Sequence, residues 1–147
     1  MGTVLGCFGS VWSEAGLAAL YWPEAGFPIH PLPETRAERL REELDGYLSG
    51  RSRRFLTPLA PAGTEFQRRT WAALGRIPYG ETRSYGEIAR ALGMAGAARA
   101  VGAANGANPI AILIPCHRLV GGDGRLHGYG GGLAMKRRLL RLESQPG

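Results

Sequence analysis

The sequence is poor in lysine, cysteine and histidine, and it has no long apolar run. Of its 18 basic residues, 17 are arginine, and Lys136 is the single lysine. Cys7 and Cys116 are its two cysteines, too few for a disulfide framework or a four-cysteine zinc site. A reducing, cytosolic setting is the default for such a chain. Near the N-terminus Cys7 and His30 are the only ligand-like residues, and two ligands do not make a structural site, so no metal is expected. No stretch approaches the roughly 20 apolar residues of a membrane helix. The opening MGTVLGCFGSVW has no positive start followed by a long apolar run, so no secretory leader is expected.

What is present points to a folded protein of modest size. A length of 147 residues suits one domain, or two small ones sharing a core, and excludes large multidomain machinery. Apolar residues at 44% and charged residues at 20% lie near globular averages and exclude wholesale disorder. The net charge is +6, which suggests a polyanionic partner but by itself equally fits a surface kept soluble or a general arginine bias. Its distribution is more informative. Residues 1–62 hold six arginines and seven acidic residues, or −1; residues 63–147 hold twelve basic and five acidic residues, or +7.

Val4–Trp12 and Leu17–Trp22 read as strands around a turn at Ser13–Gly16, and four prolines make 23–33 a loop. Leu40, Leu44, Tyr47 and Leu48 lie at helical spacing within Glu34–Leu48. Residues 51–63, with two prolines, read as a linker. Thr64 with Gln67, and Ser84 with Glu87, are capping-box patterns. They predict a helix over about 64–76 and a short one after Ser84 with Ile88 and Leu92 inward, closed by Gly93. Ala97–Ala104 reads as a third helix broken by Asn105-Gly106, Ile110–Ile114 as a short buried strand, and Leu133 to Leu142 as a last helix after a glycine-rich stretch at 121–132.

Two features carry chemistry. Residues 84–104 form a candidate helix-turn-helix. Its second helix offers Ala, Gly and Val with Arg99 as its one long polar side chain, so it lacks the groups that read base edges in the major groove. Small side chains permit close approach to a narrow minor groove with weak sequence preference; a tightly packed internal helix would look the same. The second feature is Pro115-Cys116-His117-Arg118 at the end of the apolar run. A cysteine nucleophile needs its thiolate, hence a base or a positive field, and His117 and Arg118 could supply both. A histidine base is oriented by a carboxylate or carbonyl, for which Glu143 is the best placed acidic residue. Neighbours on an extended segment point apart, so His117 would act on Cys116 through a water. The alternative is a buried structural cysteine beside a core histidine.

The runs GTEFQRRTW, IPYGETRSYGEIARALG, AARAVGAANGANPIAILIPCHRLV and GYGGGLAMKRRLL resemble the O6-alkylguanine-DNA alkyltransferase family. The resemblance is densest from about 63 to 143 and looser over the first 50 residues. It implies an α/β (α+β) protein: a small, shortened, ribonuclease H-like α/β domain at 1–57, a linker at 58–63, and a mainly helical C-terminal domain with a helix-turn-helix at 64–147. It implies single-turnover transfer of an alkyl group from O6 of guanine, and from O4 of thymine, in duplex DNA to Cys116 without a cofactor or metal. His117 would activate the cysteine through a water, with Glu143 behind it. Asn108 would brace the reactive turn, and Tyr85 would help rotate the nucleotide and protonate the leaving guanine. Arg99 would fill the gap left by the flipped base, with Ala98, Gly102, Ala103 and Arg118 at the DNA. Tyr129, Gly130 and Leu119 would line the pocket.

The same resemblance implies a monomeric, cytoplasmic, nucleoid-associated protein whose partner is duplex DNA bearing O6-alkylguanine, with no membrane role. Flipping a base costs a few kcal/mol of stacking and pairing, and a planar arginine in the gap offsets part of it. His127 stands where many relatives carry a small residue; it either polarises the pocket entrance or faces water. Other readings are a non-catalytic lesion-binding relative, a Cys-His hydrolase, and a helix-turn-helix regulator. The first lacks a cysteine, the second leaves the basic half unexplained, and the third leaves Pro115–Arg118 unexplained.

Overall fold

The computed structural model describes residues 2–3, 5–23, 34–122, 129 and 132–145. The chain is mixed α/β and divides into two compact units, Met1–Ala62 and Gly63–Pro146. Among the described residues the strands form three two-stranded ladders. The loop expected at 23–33, most of the glycine-rich stretch, His30, His127 and Gly130 lie outside the described residues, apart from Pro23.

In the first unit the stretch expected as one strand, Val4–Trp12, holds two short strands, and a further one precedes it. β1 (Gly2–Thr3) pairs antiparallel with β2 (Gly6–Cys7), and β3 (Gly9–Trp12) pairs antiparallel with β4 (Leu17–Tyr21). Gly6, the first residue of β2, has a φ of +118°, which is open chiefly to glycine. Helix α1 (Glu34–Leu48) has the expected bounds and buries Ala37, Leu40, Leu44 and Tyr47 alongside Phe8, Leu17 and Leu20. The expected linker is partly built into this unit. Leu17 N–H donates to Pro58 O at 2.8 Å and Ala60 N–H to Leu17 O at 2.8 Å, so this segment satisfies strand groups that would otherwise be unpaired. Gly16 makes that approach possible, since a Cβ there would stand 2.4 Å from Pro58 O.

The second unit is built on two capping boxes. Thr64 accepts from Gln67 N–H at 3.1 Å while Gln67 Oε1 accepts from Thr64 N–H at 2.9 Å, opening α2 (Glu65–Gly75). Ser84 and Glu87 exchange the same pair of bonds, each 3.1 Å, opening α3 (Tyr85–Ala91). Each box satisfies two N–H groups that a helix start leaves orphaned. Helices α2 and α3 pack against α4 (Ala98–Gly106), where Trp71 anchors the contact by donating from Nε1 to Ala104 O at 2.8 Å.

Three expectations are corrected here. Helix α4 runs through Asn105-Gly106, because Asn105 and Ala104 are buried and the turn closes at Ala107. Leu92 is half-buried at the end of α3 rather than in the core. Ile110–Ile114 is largely buried but is not a strand, since it turns on itself and no strand among the described residues lies beside it. The chain closes with β6 (Leu119–Val120), parallel to β5 (Arg83–Ser84), and α5 (Leu133–Glu143). No helix among the described residues is long and apolar enough to cross a membrane.

Candidate active site

The turn that carries Cys116 is held by its own backbone and by one side chain. Ile114 N–H donates to Ile110 O at 3.0 Å, and Leu113 N–H to Ala111 O at 2.9 Å. Between them Ile112 has φ of +74°, a left-handed conformation that costs a β-branched residue about 1–3 kcal/mol. Asn108 holds the loop closed: its Nδ2 donates to Ile114 O at 3.0 Å and its Oδ1 accepts from Ile110 N–H at 3.0 Å. Pro115, at φ −79° and ψ 65°, makes an inverse γ-turn closed by Cys116 N–H to Ile114 O at 2.7 Å. Cys116–Arg118 then form one 3₁₀ turn, not an extended segment. The ladder Arg83↔Leu119, Ser84↔Val120 joins the strand leaving this turn to the one entering Tyr85.

Behind the turn lies a buried polar cluster. His117 is fully buried, and its Nε2 stands 2.7 Å from Glu143 Oε2. Glu143 also accepts from Arg118, Nε to Oε1 at 2.8 Å and Nη2 to Oε2 at 2.9 Å. Arg118 donates again from Nη1 to Ile77 O at 2.7 Å, and its guanidinium lies 5.6 Å from the centre of the Tyr79 ring. Arg118, expected at the DNA, is therefore 8% exposed and bonded inward. The reason is charge: a buried carboxylate needs a cation, and a guanidinium fork matches it.

The positive group beside Cys116 is Lys136, which the sequence reading did not single out. Lys136 is fully buried on the inward face of α5 and donates from Nζ to Leu119 O at 2.6 Å. The signal was available, because Lys136, Leu139 and Glu143 fall at i, i+3 and i+7 on one helix face. Burial pushes the Cys116 thiol up from its ordinary 9.0, while hydrogen bonds from Asn108 and Tyr129 and the Lys136 charge pull it down. Burial wins, so the sulfur is a thiol until a reaction draws off its proton. Burial likewise pushes His117 down from 6.5 and Lys136 down from 10.5, and a thiolate at Cys116 would pull Lys136 back up.

The cluster thus brings together Cys116, His117, Glu143, Asn108 and Tyr129, with Lys136 and Arg118 added. Leu119, expected on a pocket wall, is fully buried, and its part is to hold Lys136 through its carbonyl. Tyr85 is half-buried against α4, where a Cβ at Gly102 would stand 3.5 Å from its ring. Desolvation raises the Tyr85 hydroxyl above 10.0, which keeps its proton at neutral pH. On α4, Arg99 and Ala103 face outward, Ala98 and Gly102 lie half-buried at the edges, and Val101, Ala104 and Asn105 face the core. Among the described residues no group of three or more His, Cys, Asp or Glu could hold a metal ion.

Comparison with known proteins fits this geometry. A family model described as "6-O-methylguanine DNA methyltransferase, DNA binding domain" matches residues 65–145. The chain is 61% identical over 102 residues to a methylated-DNA–protein-cysteine methyltransferase of Mycolicibacterium paratuberculosis, covering 69% of this chain and 62% of that protein. In structure it is similar to Mycobacterium tuberculosis OGT in complex with DNA, with a TM-score of 0.85 and 47% identity over 95% of this chain and 88% of that one. It is also similar to an O6-methylguanine DNA methyltransferase of Methanococcus jannaschii, with a TM-score of 0.73 and 26% identity over 95% of this chain and 89% of that one.

Proposed function

Because the chain belongs to the 6-O-methylguanine DNA methyltransferase family, we propose that it repairs alkylated DNA by taking the alkyl group onto Cys116. The observation that carries this reading is the buried Cys116, with hydrogen bonds from Asn108 and Tyr129, the Lys136 charge acting on it, and the His117–Glu143 pair beside it. In the proposed step the bond from O6 to the alkyl carbon breaks and a carbon–sulfur bond forms. The thiol proton passes through a water to His117, Tyr85 protonates the departing guanine, and solvent carries the His117 proton back to the Tyr85 phenolate, so thiol and alkylguanine become thioether and guanine with no proton gained or lost. Lys136 favours the thiolate as it forms. A thioether has no hydrolytic exit, so each protein acts once. O4-alkylthymine offers the same kind of carbon.

The duplex would meet α3 and α4 as a helix-turn-helix. The small outer residues of α4, Ala98, Gly102 and Ala103, suit a minor groove about 6 Å wide. Exposed Arg68, Arg90, Arg99, Arg137, Arg138 and Arg141 give the second unit phosphate affinity that falls with salt. The alkylated base would be flipped toward Cys116, with Arg99 filling the gap and Tyr129 and Gly130 on the pocket wall. The protein would act as a monomer near DNA in the cytoplasm.

The test is intact mass after incubation with duplex DNA carrying O6-methylguanine. The expected result is a gain of one methyl per protein, mapped to Cys116. No gain, or the same gain in Cys116→Ala, overturns the reading. Arg99→Ala should separate DNA handling from chemistry. It is expected to slow repair of duplex DNA about 10- to 100-fold, the usual effect of losing one such contact, while reaction with free O6-benzylguanine is unchanged. Equal losses on both substrates would rule out a role for Arg99 in opening the duplex.

A further inference from the structure

We propose that Arg118 is a positioning residue that keeps His117 neutral, with its hydrogen on Nε2 and its acceptor at Nδ1, until alkyl transfer begins. The inference rests on the alkyl-transfer reading for its consequence, and on geometry for its substance. Glu143 is 4% exposed and receives two bonds from the Arg118 fork, one from His117 at 2.7 Å and one from Gly80 N–H at 3.4 Å. A buried carboxylate facing a lone imidazole would gather a proton, leaving an imidazolium–carboxylate pair that cannot act as a base. The guanidinium supplies that positive charge instead. With Glu143 held as an anion that only accepts, Nε2 must carry the hydrogen, and the acceptor is Nδ1.

Among the described residues, the charged groups facing His117 fit this division. From α5 come Glu143, which favours the imidazolium, and Lys136, which opposes it. From its own turn come Arg118, which opposes it, and Cys116. From the turn after α2 comes Tyr79, whose ring lies on Arg118, and α2 buries only Thr70, Trp71, Ala73 and Leu74. Arg118 also cannot swing away, because Ile77 O fixes its third nitrogen.

The sign of the pH effect follows. Burial is the largest reason His117 lies below its ordinary 6.5 in the fold, and the Arg118 charge adds to it, so the neutral base persists as pH falls. Removing the Arg118 charge raises it, and the rate then needs a higher pH to recover. The experiment reads the ¹⁵N shifts of His117 against pH in wild type, Arg118→Met, Arg118→Gln and Arg118→Lys, with no alkyl donor present. It is paired with the pH profile of alkylation by free O6-benzylguanine. Either uncharged variant is expected to raise the His117 midpoint by about one unit or more and to move the acid limb of the rate with it. Arg118→Lys keeps the charge but loses the fork, so its rate falls at all pH values while the midpoint moves little. An unmoved midpoint in both uncharged variants overturns the proposal, however low their rates. The ¹⁵N titration needs no alkyl transfer, so a failure of the transfer reading would leave that arm interpretable.

Discussion

Glu143→Gln is expected to lower the rate of alkyl transfer by about 10²- to 10⁴-fold at neutral pH, the usual worth of a positioned proton-transfer group. Glutamine is nearly the same size, so the loss does not come from a cavity. Its amide presents a donor where His117 Nε2 and Arg118 Nη2 both need an acceptor. The imidazole is then free to take the other tautomer, which turns Nδ1 into a donor facing the thiol side. Stability should also fall, by about 3–5 kcal/mol, because Arg118 becomes a buried cation with no anion. Single-turnover rates with free O6-benzylguanine and denaturant melts measure the two effects. A variant that reacts at the wild-type rate would remove Glu143 from the mechanism, whatever its stability.

Asn108→Ala is expected to cost about 1–3 kcal/mol, since it orphans the Ile110 N–H, while the Ile114 carbonyl keeps its bond from Cys116 N–H. It also frees the left-handed Ile112, whose strain the closed loop holds in place. Cys116 begins two residues after Ile114, so relaxation of this turn moves the sulfur itself. A displacement of about 1 Å is enough for a rate loss of about 10²-fold. The thiol in addition loses one of the hydrogen bonds that lower its pKa, and its alkaline titration moves upward. Rates and thiol titration in the variant check both. A stable variant with an unchanged thiol titration would show that Asn108 braces nothing that matters to Cys116.

Much of the second unit was legible from local pattern. Thr64 with Gln67, and Ser84 with Glu87, name helix starts because a capping box closes within one turn of chain. The bounds of α1 followed from the spacing of Leu40, Leu44 and Tyr47 on a face that needed burial. Ile110–Ile114 misled for a definite reason. A short apolar run signals burial, and burial is correct, but only a neighbouring strand makes it a strand. Here the hydrogen bonds are met by Asn108 and by the segment's own turns.

The sequence by itself determined the family, the mixed α/β class, the basic second unit and the identity of Cys116, His117, Asn108 and Glu143 as a group. Those conclusions depend on residue type, on short motifs such as Pro115–Arg118, and on the family resemblance that ties Asn108 and Glu143 to them. Three things were decided only by tertiary structure. Arg118 turned inward to Glu143 instead of outward to a phosphate, Lys136 became the cation beside Cys116, and Leu119 became core with a carbonyl for that lysine. Each depends on which charge ends up buried next to which, across 17 to 25 residues of chain. In a low-dielectric interior that pairing is enforced strongly, but no local pattern announces it.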